Sequence, residues 1–156
     1  MPEAPKDAMQ WQGRFSVQIS DGVRNERNSG TFIFQKYSTA HNLDLYGPLG
    51  VTVAKISVNE KRATLERPGE EPLTSNNAEN LTSLAIGYPI PIDQLSAWLE
   101  GKPISSRPFQ LLPEKKGFEQ AGWTVLYTYG ENQKITRITV TSSNNGQSIK
   151  LILLLH

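Results

Sequence analysis

An antiparallel α+β domain is what this sequence predicts, and three observations predict it. Short runs of apolar–polar alternation recur along most of the chain, the period expected of half-buried strands. Polar, Gly- and Pro-containing turns separate them, without the strand–helix alternation of a parallel sheet. Between Asn76 and Pro103 the apolar period changes from two to between three and four. Two short helices inserted into a long meander account for that change.

The elements follow in order. Residues 1–10 are aperiodic and predicted to be a flexible lead-in, leaving a single domain over 11–156. The first strand places Trp11, Gly13, Phe15, Val17 and Ile19 on one face. Asp21–Gly30 reads as a polar loop. Thr31–Tyr37 is the second strand, with Phe32 and Phe34 together, and Ser38-Thr39 turns it back into His41–Tyr46, where Leu43 and Leu45 share a face. Tyr46-Gly47-Pro48-Leu49-Gly50 is a tight connection, because proline fixes φ and glycine permits positive φ. Val51–Val58 and Arg62–Glu66 are strands around an Asn59-Glu60-Lys61 turn, and residues 67–72 form a loop with solvated Glu70 and Glu71.

Asn76 with Glu79 three residues later predicts a capping box, Leu81, Leu84 and Ala85 form the apolar side, and Gly87 the stop. Pro91 suits the first turn of the second helix. There Ile92, Leu95 and Leu99 recur at helical spacing with Trp98 beside them, and Gly101 and Pro103 end it. Strands resume at Phe109–Leu112, Gly117–Gln120, Trp123–Tyr129, Ile135–Thr141 and Ser148–Leu155, with Asn144-Asn145-Gly146 a strong hairpin signal.

Composition excludes several functions. The 156 residues can bury a core without disulfides or metals. With 16 basic and 15 acidic residues well mixed, no basic stripe exists to displace counterions, so nucleic acid is not an expected partner. No apolar run approaches the roughly 18 residues that span a bilayer. The first ten residues lack the basic and apolar regions of a signal peptide. His41 and His156 lie outside any metal-ligand spacing and are expected to be exposed and incidental. There is no nucleophile elbow, phosphate-binding loop or dinucleotide fingerprint, and the Asn80-Leu81-Thr82 sequon falls within a predicted helix. No enzyme activity, metal or cofactor is expected.

What remains is apolar. Phe15, Phe32, Phe34, Trp98 and Trp123 read individually as core, while collectively a curved sheet capped by helices can leave an elongated apolar cavity. Composition does not decide whether that space is filled. Leu49 has two readings as well, as core under its turn or as an apolar side chain held out at the tip of a rigid loop.

Two stretches carry a resemblance. Tyr46-Gly47-Pro48-Leu49-Gly50, then Gly87-Tyr88-Pro89-Ile90-Pro91-Ile92-Asp93-Gln94-Leu95-Ser96-Ala97-Trp98-Leu99-Glu100-Gly101-Lys102-Pro103, resemble the LolB family of outer-membrane lipoprotein receptors. The opening Gly13-Arg14-Phe15 strand and the strand order around the helices match too, from about Trp11 onward. The resemblance implies a strongly curved antiparallel sheet forming an incomplete β-barrel with an inserted helical lid. It implies a protein at the periplasmic face of the Gram-negative outer membrane that accepts triacylated lipoproteins from a LolA-like carrier and inserts them into that membrane's inner leaflet. Neither cofactor nor bond-making is involved, and a monomer is expected.

The family's protruding loop carries an exposed apolar residue needed for delivery, and Leu49, flanked by Gly47, Pro48 and Gly50, occupies that position. The expected acyl-chain cavity is lined by Phe15, Val17, Phe32, Phe34, Leu43, Leu45, Leu84, Leu95, Trp98, Leu99, Trp123, Val125, Ile138 and Val140. Family members are anchored through a lipidated N-terminal cysteine; this sequence, which has no cysteine, departs from the pattern there. Two other readings are a carrier or sensor of another amphiphilic lipid, and a structural envelope module with a filled core.

Overall fold

The computed structural model describes residues 8–60 and 62–156. Its strands are β1 (Met9–Ser20), β2 (Asn25–Lys36), β3 (Ala40–Tyr46), β4 (Thr52–Asn59), β5 (Ala63–Glu66) and β6 (Leu73–Ser75). The helices α1 (Ala78–Ile86) and α2 (Ile92–Leu99) follow, and then β7 (Phe109–Leu111), β8 (Gly117–Gln120), β9 (Trp123–Tyr129), β10 (Ile135–Asn144) and β11 (Gln147–Leu155). The hydrogen-bonded order is β6-β5-β4-β3-β2-β1-β11-β10-β9-β8-β7, an 11-stranded antiparallel sheet that is not closed. The chain is therefore α+β, with both helices lying in sequence between the two end strands, β6 and β7.

Two compact units divide the chain. The first comprises the residues up to Gln12 with Gly30–Ser96. In it Phe32 pairs with Leu45, Phe34 with Leu43, Leu43 with Ile56, Leu45 with Ala54, and Ile56 with Leu65. Directly paired residues share a face, and all of these are buried. The alternation read from sequence is this apolar face, and α1 packs on β4, β5 and β6. Trp11 meets Phe34 edge to face, with ring centroids 6.1 Å apart.

Helix α1 starts one residue later than its capping signal suggests. Asn77, not Asn76, is the N-cap, its side-chain oxygen accepting from the Glu79 N–H at 2.9 Å. Glu79 thereby falls at the second helical position, too early for a capping box. Gly87 ends the helix at φ +100°, its N–H donating to the Ser83 carbonyl. The buried side is Leu81 and Thr82, whereas Leu84 is 56% exposed. At 100° per residue Leu84 lies roughly 110° round the helix from the middle of that pair.

Thr82 is inside because its hydroxyl has work there. It accepts from the Ile90 N–H at 2.8 Å and donates to the Glu79 carbonyl at 3.0 Å, tying α1 to the Gly87–Pro91 connection. Thr82→Val keeps the shape and strands the Ile90 donor in a fully buried place. A loss of about 1–3 kcal/mol is expected in urea unfolding; a midpoint equal to the parent's would contradict it.

The second unit comprises Gly13–Ser29 and Ala97–His156. Its apolar face runs through Val17–Leu151, Ile138–Leu153, Val140–Val125 and Phe118–Val125 pairs. Gln120 shares it, and both ends of its amide are satisfied. Its oxygen accepts from the Ile104 N–H at 2.9 Å, while its nitrogen donates to the carbonyls of Ile104 and Arg107. The Asn145-Gly146 turn has φ of +52° and +78°, the positive values that two-residue hairpins require.

Three sequence expectations change. Of the lead-in expected over 1–10, residues 1–7 lie outside the described residues, and Met9 and Gln10 already belong to β1. The loop expected over Asp21–Gly30 shrinks to a turn, because Asn25–Gly30 are strand despite exposed polar side chains. Backbone pairing along the β1–β2 hairpin, not propensity, holds them. Strand β6 was not foreseen at all, being only Leu73–Ser75.

The β1–β2 turn is closed by Asp21, whose carboxylate accepts from the N–H groups of Val23 and Arg24 at 2.9 and 2.6 Å. These bonds, Arg24's foremost, hold its pKa below the ordinary carboxylate value. A depressed folded pKa means stabilisation that is full above the unfolded value, about pH 4, and lost as pH falls through the folded one. Exchange of the Val23 and Arg24 amides should accelerate in acid beyond the pH trend of their neighbours. Parallel trends would exclude the bonds' contribution.

Candidate functional site

The β3–β4 hairpin ends in the most exposed apolar side chain of the described residues. Gly47 donates to the Val51 carbonyl at 2.8 Å and Gly50 to the Gly47 carbonyl at 3.2 Å, closing a 3-10 turn over Pro48–Gly50. Pro48 pre-sets the turn's first φ. Leu49 then sits at φ 64°, ψ 18°, the left-handed region that non-glycine residues seldom enter, and is 102% exposed. Of its two sequence readings, the structure has the exposed one.

Among the described residues this turn occurs three times. Pro113–Lys115 places Glu114 at φ 64°, ψ 12°, and Glu131–Gln133 places Asn132 at φ 60°, ψ 30°. At two tips the left-handed position holds a polar residue, as solvent would favour. Only in the β3–β4 hairpin is it a leucine, so the geometry is generic and the chemistry is not. Val51 and Val53 next to it are 64% and 43% exposed. Both passed in the sequence as ordinary strand residues, although no single-strand pattern tells an exposed valine from a buried one.

The residues expected to line a cavity distribute over both units. In the first, Phe32, Phe34, Leu43, Leu45 and Leu95 are buried and Leu84 is exposed. In the second, Val17, Trp98, Leu99, Trp123, Val125, Ile138 and Val140 are buried, with Phe15 half-buried. Alternation along β4, β5 and β11 also turns Ala54, Ile56, Leu65, Ile149, Leu151 and Leu153 inward. These were legible by the same period-two rule.

Helix α2 is buried on every side except at Asp93. Its helical spacing revealed Ile92, Leu95, Trp98 and Leu99 but not that Gln94 and Ser96 are enclosed too, at 4% and 2% exposure. The Gln94 side-chain oxygen, the Ser96 hydroxyl and the Trp98 indole nitrogen have no hydrogen-bond partner. Such groups cost about 1–3 kcal/mol each. Ser96→Ala removes one and improves helix propensity, so a gain of about 1 kcal/mol is expected in thermal unfolding; a loss would mean the hydroxyl is bonded.

In the second unit Trp98 lies against Trp123, centroids 5.6 Å apart, and its carbonyl accepts from the Tyr127 hydroxyl at 2.6 Å. Burial, with Tyr129 nearby, raises the Tyr127 pKa, so the phenol stays a neutral donor.

Other places offer less. An open depression of about 500 Å³ is lined by Phe109, Gln120, Trp123 and Thr124 among others, and shares only Trp123 with the expected cavity. His41 is half-buried with its ring 5.9 Å from Phe34, not exposed as expected, because it lies opposite Lys36 on the strand beside that phenylalanine. Among the described residues no cluster of His, Asp and Glu could hold a metal. No described helix is long and apolar enough to cross a membrane.

An open antiparallel sheet with two helices and a hairpin tipped by an exposed leucine is the class of α+β protein that this geometry defines. Residues 7–154 match the family model for outer membrane lipoprotein LolB, and the chain belongs to the LolB family. The outer-membrane lipoprotein LolB of Cupriavidus metallidurans is 32% identical over 121 residues, 75% of this chain and 59% of that protein. That of Cupriavidus necator is 28% identical over 155 residues, 94% of this chain and 79% of the relative. The Cellvibrio japonicus protein is 32% identical over 136 residues, covering 81% and 67%. The chain thus spans 59% and 58% of the length of two of its curated relatives. A crystal structure of a LolA superfamily protein from Nitrosomonas europaea superimposes with a TM-score of 0.49 at 12% identity, over 93% of this chain and 86% of that one.

Proposed function

We propose that this protein is a receptor that takes acylated lipoproteins from a LolA-like periplasmic carrier and inserts them into the inner leaflet of the outer membrane, without bond chemistry. Family membership supports the substrate class, and the fully exposed Leu49 on its internally bonded turn is the observation that carries the delivery step. The acyl chains are held by the apolar faces, among Phe32, Phe34, Leu43, Leu45, Leu84 and Leu95 in one unit. In the other they meet Phe15, Val17, Trp98, Leu99, Trp123, Val125, Ile138 and Val140.

Magnitudes fit such a route. An acyl chain gains about 0.8 kcal/mol per buried methylene, on the order of 10 kcal/mol for a long chain. Carrier, receptor and bilayer must therefore offer closely matched apolar environments for the cargo to pass between them. The test is transfer itself: a triacylated lipoprotein loaded on the carrier should move to this protein and then into liposomes, the protein acting as a monomer. Failure to accept the lipoprotein, or co-purification with a different amphiphile that it carries instead, would overturn the reading.

A further inference from the structure

From Tyr46 through Ala54 the β3–β4 hairpin carries no charged side chain. The charge-free stretch ends on one rung, where Asp44 and Lys55 are cross-strand partners, with Glu66 next to Lys55 on β5. Val53 and Lys55 alternate with buried Ala54 and Ile56, so they face outward together. The space beside Gly47 where a Cβ would sit is filled by Val53, whose Cγ2 would be 3.3 Å away. Leu49, Val51 and Val53 thus form one apolar surface at the end of the hairpin. Tyr46 lies between it and the charged rung, its hydroxyl 3.5 Å from the Asp44 carboxylate.

We propose that this whole tip, and not Leu49 alone, enters a phospholipid surface, with Leu49, Val51 and Val53 among the acyl chains, Tyr46 at the interface and the Asp44–Lys55 rung marking the water boundary. The inference rests on the delivery role proposed for Leu49 and adds its footprint and depth. Strands advance about 3.4 Å per residue, so Val53 lies about 7 Å behind the Gly47–Val51 pair that closes the turn, within an interfacial insertion of about 5–10 Å measured from that pair. Further entry would drag charges into hydrocarbon.

Three features favour a lipid surface over a protein partner. The tip is convex, and fluid acyl chains close around a protrusion that a protein could receive only in a matching groove. Its backbone also has fewer donors to desolvate, since Pro48 has no N–H and Gly47 and Gly50 donate within the turn. Tyrosine at the boundary of an apolar segment is the ordering that bilayer interfaces favour.

The chain has no cysteine, so single cysteines report cleanly. Leu49→Cys, Val51→Cys, Val53→Cys and Ser57→Cys would each be labelled with an environment-sensitive nitrobenzoxadiazole dye. They would then be mixed with vesicles of phosphatidylethanolamine and phosphatidylglycerol. The proposal expects a blue shift at 49, 51 and 53 and none at 57, and about a tenfold drop in vesicle partitioning for the Val51→Thr/Val53→Thr double variant. A shift at 49 alone, with unchanged partitioning of the double variant, overturns the wider footprint and leaves the Leu49 role standing. Absence of any shift overturns both. A shift that reaches 57, or one that appears with carrier protein and no vesicles, also overturns the footprint.

Discussion

Leu49→Glu is expected to leave folding and lipoprotein uptake as they are and to slow incorporation into liposomes at least tenfold. The fold is spared for reasons visible in the chain itself. Leu49 is fully exposed, so no packing is lost. Its left-handed conformation is one that a glutamate already adopts here, Glu114 holding φ 64° in an equivalent turn. A stability change within about 0.5 kcal/mol follows.

Delivery is another matter. Inserting a leucine gains about 1.5–3 kcal/mol, a factor of roughly 10 to 150 in a rate that depends on contact with the bilayer. That is small beside an acyl chain, so Leu49 does not drive transfer energetically. In the proposed role it places the protein against the membrane while the chains leave. A glutamate there forgoes the gain and adds the cost of desolvating a charge. The check is a two-stage assay in which carrier-to-receptor transfer and receptor-to-liposome transfer are timed separately. Parent-like liposome incorporation by Leu49→Glu would remove the loop from the mechanism, and a matching loss in the first stage would place its role in uptake instead.

How much of this was legible without coordinates depended on which force placed each residue. Period-two faces such as Phe32–Phe34 and Leu43–Leu45 were readable because burial of alternate side chains is what makes those strands. The helices were readable from Gly87, Pro91 and the spacing of Leu95 and Leu99, though the capping asparagine moved from Asn76 to Asn77. Asn25–Ser29 was not readable, since its strand depends on a neighbour's backbone and its own side chains are indifferent. Thr82 lies inside because its hydroxyl has backbone partners there, whereas Leu84, read as part of the helix's apolar side, is exposed. Gln94 and Ser96 were missed for the opposite reason, being buried with an atom left unsatisfied, which no pattern rule anticipates. The turn at Leu49 could be drawn from glycine and proline, but not the outward aim of its leucine, which follows from a left-handed φ.

Gly13→Ala is expected to have the largest effect on stability. Gly13 pairs with Leu155 at the end of the β1–β11 ladder in the second unit. A Cβ placed on it would lie 1.8 Å from the Leu154 carbonyl oxygen and 2.9 Å from the carbonyl carbon. Those atoms are backbone within a paired strand, so no flexible side chain can move aside. Either the two strands separate locally or the register yields, and β1 carries Phe15, Val17 and Ile19 opposite Leu153, Leu151 and Ile149. Loss of about 3 kcal/mol or more follows from overpacking combined with broken ladder bonds, a large share of the 5–15 kcal/mol that usually holds a domain. Gly117, whose Cβ would meet the Val125 carbonyl oxygen at 1.9 Å, offers an independent copy of the experiment in the β8–β9 pair. Gly22, with nothing within 4 Å but a φ of +91°, is the control for conformational strain without contact. Urea unfolding should rank Gly13→Ala and Gly117→Ala well below Gly22→Ala, and equal losses at all three would show that backbone conformation, not close approach, is what these glycines provide.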